Sequence, residues 1–208
     1  SRENDFAINK RNIIMSKIVI IDYGAGNVRS VQFAVERLGY KAICSNDAEV
    51  IKSADKVIFP GVGEASSAME ELRKQGLDLL IPMLMQPVLG ICLGMQLMCR
   101  FSEENHTDCL NIFPIDVVKF NEKLKVPQIG WNVINNLKDE LFKGIAENSY
   151  VYYVHSYYIP ENEYAIALTD YGVQYAGAIK KDNFYACQFH PEKSSDIGEQ
   201  IVKNFIAL

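Results

Sequence analysis

The chain has 208 residues, of which 49% are hydrophobic and 23% are charged, and its formal net charge is −5. This length and balance fit one globular domain with a substantial core. The lack of a long basic run argues against a nucleic-acid partner, and no apolar run is long enough for a membrane span. The five cysteines include no C-x-x-C pair. They therefore argue against a disulfide framework and a zinc site, and they favour a reducing, cytoplasmic location.

The first 14 residues are polar and charged and lack the apolar centre of a signal peptide. Met15 directly precedes the first apolar run, which is where a natural start would stand. We therefore expect residues 1–14 to be a disordered leader, added from a vector or an upstream reading. Residues 15–208 are expected to form a single domain.

Through its first hundred residues the chain alternates apolar, β-branched runs with amphipathic stretches. The apolar runs predict buried strands at residues 17–23, 41–44, 56–59 and 87–91. The amphipathic stretches predict a helix capped by Asn27 and closed by Gly39, and further helices at 47–54, 66–75 and 77–85. Such alternation predicts a parallel sheet with helices on both faces and with ligands at the carboxyl ends of its strands.

Beyond residue 101 the pattern changes to short strands separated by turns. We expect a polar loop at 102–111, a helical turn at 139–144, and strands at 117–120, 133–135, 150–158, 164–168, 175–179 and 184–189. Lys181-Asp182-Asn183 is typical of a hairpin turn between the last two strands, and a closing helix is expected from Ser195. The predicted fold class is therefore α/β, with a parallel N-terminal half and a mostly antiparallel C-terminal half.

The segment Gly90-Ile91-Cys92-Leu93-Gly94 lies between the strand at 87–91 and the apolar run at 95–101, where a helix is expected. A short strand, a sharp turn and a helix form a nucleophile elbow, here with sulfur in place of oxygen. Flanking glycines allow a tight bend, and a helix N-terminus favours the thiolate. A buried structural cysteine is the alternative, but the G-x-C-x-G frame favours a nucleophile.

Two glycine-rich turns also follow predicted strands. Gly24-Ala25-Gly26-Asn27 lacks the spacing of a dinucleotide-binding fingerprint, because Ser30 stands where the third glycine would be. Pro60-Gly61-Val62-Gly63, the 60–63 loop, forms a backbone that can approach a ligand closely or change conformation. An ordinary strand-to-helix turn is the alternative for this loop.

A nucleophilic cysteine needs a base, and the base needs a third group to orient it. Among the three histidines, His106 lies in a polar loop, and His155 lies in an aromatic strand where a structural role is favoured. His190 ends a predicted strand and is followed by Pro191-Glu192. Residues i and i+2 of an extended chain point to the same side, so Glu192 is expected to hold the His190 imidazole in one tautomer.

Taken together, the 90–96 and 188–192 segments resemble the class I, or triad, glutamine amidotransferases. Other segments narrow the resemblance to the glutaminase subunits of imidazole glycerol phosphate synthase. They are Asp22 to Asn27 (DYGAGN), the 60–63 loop (PGVG), Pro127 to Asn132 (PQIGWN), Tyr152 to Tyr157 (YYVHSY) and His190 to Ser194 (HPEKS). The similarity runs from Lys17 to near the C-terminus and implies a flavodoxin-like amidotransferase sheet.

The resemblance implies that Cys92 attacks the side-chain amide of glutamine to give a thioester. His190 then serves as acid and base, and Glu192 orients it. The same resemblance assigns the remaining site residues: the oxyanion hole to the backbone N–H of Leu93 and a second donor at Val62 or Gly63, and substrate binding to Gly61, Gln96, Ser156 and Tyr157. No metal ion or other cofactor is expected.

The implied partner is a cyclase subunit with a (β/α)8 barrel, which forms a heterodimer with this chain. The cyclase would receive the ammonia through a shielded path. Such a path is needed because free ammonia in neutral water is mostly protonated. By resemblance, the interface is expected at Gly24, Asn27, Tyr152 and Lys193. The family also implies that the 60–63 loop is misaligned until the partner binds, so glutaminase activity should be low in the isolated chain.

Three other interpretations remain open from the sequence. A paralogous glutaminase could supply ammonia to amidino-sugar synthesis for surface polysaccharides, since the glutaminase sequence does not reveal the acceptor. A non-catalytic regulatory subunit could use the same scaffold, although all three triad positions are filled. A cysteine hydrolase or protease with similar elbow geometry is disfavoured by the two-residue spacing of His190 and Glu192.

Overall fold

The structure is a computed structural model that describes residues 16–208. The leader expected at residues 1–14, and the proposed start at Met15, lie outside this range. None of the helices between residues 16 and 208 is both long enough and apolar enough to cross a membrane.

Thirteen strands and six α-helices make up the described domain. The strands are β1 (Ile18–Ile21), β2 (Ala42–Ser45), β3 (Lys56–Phe59), β4 (Val88–Ile91), β5 (Cys99–Ser102), β6 (Thr107–Asp108), β7 (Phe113–Lys119), β8 (Gln128–Ile134), β9 (Ser149–His155), β10 (Tyr157–Tyr158), β11 (Ala165–Asp170), β12 (Gln174–Lys181) and β13 (Phe184–Cys187). The helices are α1 (Val28–Arg37), α2 (Ala48–Lys52), α3 (Ala65–Lys74), α4 (Leu77–Leu80), α5 (Leu93–Leu97) and α6 (Ser195–Ile206), with 3-10 turns at Ile81–Met83, Glu104–His106, Glu140–Phe142 and Pro191–Lys193.

A seven-stranded sheet in the order β11-β12-β13-β4-β3-β1-β2 forms the centre of the domain. The five strands from β2 to β13 in this order are parallel, and β12 and β11 continue the sheet in antiparallel fashion. The predicted α/β class with a parallel N-terminal half is therefore confirmed. One strand of the C-terminal half, β13, joins the parallel part, and it does so beside β4.

Alternate residues of the central strands face two separate hydrophobic clusters. Ile18 and Ile20 of β1 pack in one cluster with side chains of α1 and α6. Val19 and Ile21 pack in the other with side chains of α2, α3 and α4. The helices therefore cover both faces of the sheet, as predicted. The carboxyl ends of β1, β3, β4 and β13 all meet at one edge, since these strands are parallel neighbours.

The apolar stretch at 95–101 corrects the predicted helix. Helix α5 ends at Leu97, and Cys99–Ser102 forms the strand β5, which pairs in parallel with β7. Apolar runs of this length do not distinguish a buried helix from a strand, and here the long-range pairing with β7 decides. The polar 102–111 segment is also more ordered than predicted, because β6 pairs with β5 inside it.

The aromatic segment at 150–158 was predicted as one strand and is two. It breaks at Ser156, so that β9 pairs with β8 in a two-stranded hairpin while β10 pairs with β7 in a four-stranded sheet. The β8 strand likewise begins at Gln128, five residues before the predicted start at 133. Both differences place the Gln128–Ile134 and Ser149–His155 hairpin beside the carboxyl edge of the central sheet, where His190 donates its backbone N–H to Tyr152 at 2.9 Å.

Candidate active site

Cys92 stands at the turn between β4 and α5. Its backbone adopts φ 54° and ψ −111°, a conformation that L side chains rarely adopt, and its N–H donates to the Cys187 carbonyl at 2.8 Å. Holding a non-glycine residue there requires about 1–3 kcal/mol from the surrounding fold. The sharp elbow predicted from the sequence is therefore present, with Cys92 7% exposed at the carboxyl edge of the sheet.

The glycines on either side of Cys92 serve close packing rather than the bend. Neither Gly90 nor Gly94 has a positive φ; the cysteine itself takes that conformation. A Cβ at Gly94 would overlap the backbone carbonyl oxygen of Phe59, and one at Gly90 would lie 3.0 Å from Cε of Met98. The G-x-C-x-G frame thus allows α5 to pack directly against the end of β3, where the 60–63 loop begins.

His190 and Glu192 follow β13, whose carboxyl end lies beside that of β4. The Glu192 Oε1 accepts a hydrogen bond from His190 Nδ1 at 2.6 Å, and both side chains are 4% exposed. The expectation of an extended chain here is wrong, because Pro191–Lys193 forms a 3-10 turn. The turn brings the carboxylate back to the imidazole, so the predicted pairing holds although its backbone geometry differs.

The environment of His190 stabilises the imidazolium. Burial by itself lowers the pKa of His190, but hydrogen bonding and charge from Cys92 and Glu192 outweigh it and raise the pKa above its ordinary range. Because Nδ1 is bonded to Glu192, Nε2 is the ring nitrogen left for the thiol. The second carboxylate oxygen of Glu192, Oε2, is buried and has no hydrogen-bond partner.

A pocket of about 310 Å³ opens above the Cys92 thiol. Most of the predicted site residues line it: Val62, Gly63, Cys92, Leu93, Gln96, Ser156, Tyr157, His190 and Lys193. The other predicted site residues, Gly24, Asn27, Gly61, Tyr152 and Glu192, are not part of this lining. Sequence reasoning missed Glu104, Pro127 and Val154, which also line the pocket, and it favoured a structural role for His155, which does so too. The Glu103-Glu104 pair carries no local signal that sets Glu104 apart as a pocket residue.

Two of the predicted oxyanion donors, Leu93 and Val62, are engaged with other groups. The Leu93 N–H donates to the carbonyl oxygen of Gly61 at 3.3 Å, and the Val62 N–H donates to the Ala25 carbonyl at 3.2 Å. The Gly61–Val62 peptide therefore presents its oxygen toward Leu93 and its N–H away from it. The hydroxyl of Tyr23 holds the start of this loop by donating to the Pro60 carbonyl at 3.1 Å.

The carbonyl oxygen of Tyr157 accepts two hydrogen bonds from side chains that also line the pocket. Gln96 Nε2 donates to it at 3.0 Å, and His155 Nδ1 donates to it at 2.8 Å. A carbonyl can only accept, so Nδ1 of His155 carries a proton. Burial lowers the pKa of His155 to about 4, so the ring is neutral near pH 7. These contacts support the structural role favoured for His155.

The outer face of the β8–β9 hairpin is apolar and exposed beside the pocket mouth. Ile129 is 64% and Trp131 53% exposed, and the Trp131 ring packs on Tyr152 with centroids 5.8 Å apart. Tyr152 is joined to the turn after His190, since its N–H donates to Ser194 Oγ at 2.9 Å. Lys193 of the same turn reaches the pocket.

Comparison with known proteins gives a consistent assignment. The family model described as glutamine amidotransferase class-I matches residues 19–208. The chain is 56% identical over 195 residues to the imidazole glycerol phosphate synthase subunit HisH of Bacteroides fragilis (strain YCH46), covering 92% of this chain and 100% of that protein. It is 48% identical over 194 residues to the HisH subunit of Haemophilus influenzae (strain 86-028NP), covering 92% and 98%.

The fold agrees with this assignment. A crystal structure described as a glutamine amidotransferase superposes with a TM-score of 0.72 at 16% identity, covering 91% of this chain and 97% of that one. At that identity the likeness concerns the fold alone. The relatives named above carry the synthase name, which favours the histidine-pathway interpretation over the polysaccharide alternative. The chain thus belongs to the class I glutamine amidotransferases and, within them, to the HisH glutaminase subunits of imidazole glycerol phosphate synthase.

Proposed function

We propose that Cys92, His190 and Glu192 form the catalytic triad that hydrolyses glutamine to glutamate and ammonia. The observation that carries this proposal is the 2.6 Å bond between His190 Nδ1 and Glu192, which leaves Nε2 for the Cys92 thiol. A thiol paired with an oriented imidazole is the arrangement that generates a thiolate nucleophile.

In the first half of the reaction the Cys92 thiolate attacks the side-chain amide carbon of glutamine. The carbon–nitrogen bond then breaks as His190, in its protonated form, gives a proton to the leaving nitrogen, so that ammonia departs and a γ-glutamyl thioester remains. In the second half, neutral His190 takes a proton from water, the resulting hydroxide attacks the thioester, and the sulfur leaves as thiolate. Glu192 keeps the imidazole in one orientation and stabilises its charge in both halves.

The oxyanion hole is proposed to use the backbone N–H groups of Leu93 and Val62. Because the Gly61 carbonyl oxygen accepts from Leu93, this conformation has no free donor pair for a developing oxyanion. A rotation of the Gly61–Val62 peptide would remove that oxygen and turn the Val62 N–H inward. We propose that partner binding drives this rotation, and we therefore expect low glutaminase activity in the isolated chain.

Substrate glutamine is proposed to lie in the 310 Å³ pocket with its side-chain amide at Cys92. Both N–H groups of Gln96 are engaged, with Tyr157 and Gln188, so its amide oxygen is the atom left to accept from the α-ammonium. Glu104 lines the same pocket and supplies a carboxylate for that ammonium. The backbone of Ser156 and Tyr157 is assigned to the α-carboxylate end.

The proposed partner is a cyclase subunit with a (β/α)8 barrel, which would receive ammonia without its release to solvent. The exposed apolar face formed by Ile129, Trp131 and Tyr152 fits a protein interface, because aromatic residues are enriched at interface cores. Lys193 lines the pocket and is next to Ser194, which accepts a hydrogen bond from the Tyr152 N–H. Gly24 and Asn27 are proposed to extend this interface. The five cysteines, all free thiols, are consistent with assembly in the cytoplasm.

The test is ammonia release from glutamine, with and without the cyclase and its nucleotide substrate. The parent chain should be weakly active alone and strongly activated in the complex. Cys92→Ser and His190→Ala should abolish activity in both settings while retaining binding to the cyclase. Parent-like activity in either variant would overturn the triad, and full activity of the isolated chain would overturn the activation step.

A further inference from the structure

Gln188 directly follows β13 and stands two residues before His190, and its side chain is fully buried. Its backbone N–H donates to the Gly177 carbonyl at 2.9 Å, which fixes the residue to β12. The side-chain Nε2 lies 3.8 Å from the sulfur of Cys92. Gln188 does not line the substrate pocket, so its contact with the reaction is through that sulfur.

The orientation of the Gln188 side-chain amide is fixed by the Tyr157 carbonyl, to which it is linked through Gln96 by two hydrogen bonds. The Tyr157 carbonyl can only accept, so the Gln96 atom at 3.0 Å from it must be the NH2 group. The same NH2 group lies 2.9 Å from the Gln188 side chain and must face its oxygen. The remaining atom of the Gln188 amide, which faces Cys92, is therefore the nitrogen. The hydrogen bonds from Tyr157 through Gln96 to Gln188 thus orient an N–H donor of Gln188 toward the Cys92 sulfur.

We propose that Gln188 is a further catalytic residue, which donates a side-chain N–H to the Cys92 sulfur and stabilises it as a thiolate. This inference rests on the proposed function, because it assigns a role within the same triad site. When Cys92 is a neutral thiol, its S–H can donate to the Val154 carbonyl at 3.5 Å. A thiolate loses that bond and needs a donor in its place. Charge-assisted hydrogen bonds are shorter and stronger than neutral ones, so the contact with Gln188 should tighten on ionisation.

Gln188 differs from the titratable groups around the sulfur in never exchanging a proton. The titratable groups facing Cys92 are His190, which is coupled to Glu192, and the buried phenol of Tyr23. His190 gives up its proton to the leaving ammonia and cannot stabilise the sulfur at every step. In the second half of the reaction the carbon–sulfur bond breaks and its electron pair goes to sulfur, while the proton of water goes to His190. A neutral amide donor stabilises the departing sulfur throughout.

The test compares Gln188→Met with the parent and with Gln128→Met. Gln128 is also buried, at 4% exposure, and makes no contact with the sulfur. The rate of Cys92 alkylation by iodoacetamide is followed against pH by mass spectrometry of the Cys92 peptide. Gln188→Met should raise the midpoint of this profile by about one to two pH units, and Gln128→Met should leave it in place. In the complex, kcat of Gln188→Met should fall about 10- to 100-fold with a smaller change in KM.

Gln188→Leu provides a second variant of similar volume if Gln188→Met fails to fold. It also removes the N–H donor from the sulfur, so it should raise the alkylation midpoint as well. The inference is overturned if folded Gln188 variants keep the parent midpoint, or if Gln128→Met shifts it equally. That failure is distinct from failure of the triad, because Cys92→Ser and His190→Ala would still be inactive.

Discussion

The backbone N–H of Leu93 donates to the carbonyl oxygen of Gly61 at 3.3 Å. This bond joins the first residue of α5 to the 60–63 loop, and it occupies the donor that would bind the oxyanion. The glycine is required at position 61, because a Cβ there would lie 2.7 Å from the hydroxyl of Tyr23. The proposed nucleophile and base are therefore assembled while the proposed oxyanion hole is not, which is the arrangement expected of a glutaminase that is activated by its partner.

Val62→Pro tests whether the Val62 N–H completes the oxyanion hole. Proline removes the N–H, and losing one such donor lowers kcat by about 10²- to 10³-fold. The matched control is Val62→Ala, which keeps the N–H and truncates a side chain that is 44% exposed. Glutaminase activity is measured in the complex with the cyclase. Equal activity of the two variants would show that the second donor lies elsewhere in the loop.

Glu192→Gln tests the orientation of the base. The amide keeps the size of the carboxylate but removes the charge that stabilises the imidazolium, and it can turn an N–H toward Nδ1 of His190. We expect kcat to fall on the order of 10²- to 10⁴-fold, with KM changed far less. Steady-state kinetics in the complex measures this. If KM rises while kcat is retained, Glu192 acts on substrate binding instead.

The three residues of the proposed triad could be singled out from the sequence because they stand in short local motifs. Cys92 is marked by its two glycines, and Glu192 by its distance from His190. Glu104 and Val154 could not be predicted, because only the tertiary fold brings them to the pocket. Gln188 was visible as part of a motif, but its donor role depends on the orientation that Tyr157 imposes through Gln96. The same long-range dependence explains why the stretch 95–101 was predicted as a helix although β5 begins at Cys99.

His155→Asn tests the buried neutral imidazole through the pH dependence of stability. Burial lowers the pKa of His155 from 6.5 to about 4 in the folded state. Between these values the unfolded chain binds a proton that the folded chain does not, so the free energy of unfolding falls as pH falls through this window. The contribution is up to roughly 3 kcal/mol. His155→Asn removes it, so urea unfolding of this variant should depend less on pH between 6.5 and 4.

The control for this prediction is His106→Asn, which removes an imidazole from an exposed position. This variant should follow the parent across the same pH range. A difference between His155→Asn and the parent that stays constant from pH 7 to pH 4 would contradict the assignment of a neutral buried ring.

Gly94→Ala tests the close packing of the elbow on β3. The added Cβ would overlap the carbonyl oxygen of Phe59, which belongs to the backbone and cannot move aside cheaply. We expect the free energy of unfolding to fall by roughly 3–5 kcal/mol, at the upper end of single-substitution effects. Gly144→Ala is the control, because Gly144 has φ +77° and open space around it. Its strain should cost about 1–2 kcal/mol, and equal losses in urea unfolding would contradict the packing argument.

Trp131→Ala tests the proposed docking face. The indole is 53% exposed and contacts Tyr152, whose carbonyl accepts from the His190 N–H at 2.9 Å. A partner bound to this face would therefore contact the residue that holds the backbone of the proposed base. Removing a central aromatic anchor should weaken binding of the cyclase by at least about 2 kcal/mol, or roughly 30-fold in Kd, as measured by titration calorimetry.

Met85→Ala is the control, because Met85 is 86% exposed and precedes β4 at the opposite, amino edge of the sheet. At saturating cyclase the Trp131 variant should regain much of its activity if the indole serves binding alone. If activation stays low at saturation, the indole also contributes to activation, through Tyr152 and the backbone of His190. Unchanged binding of the cyclase would show that this face is not part of the interface.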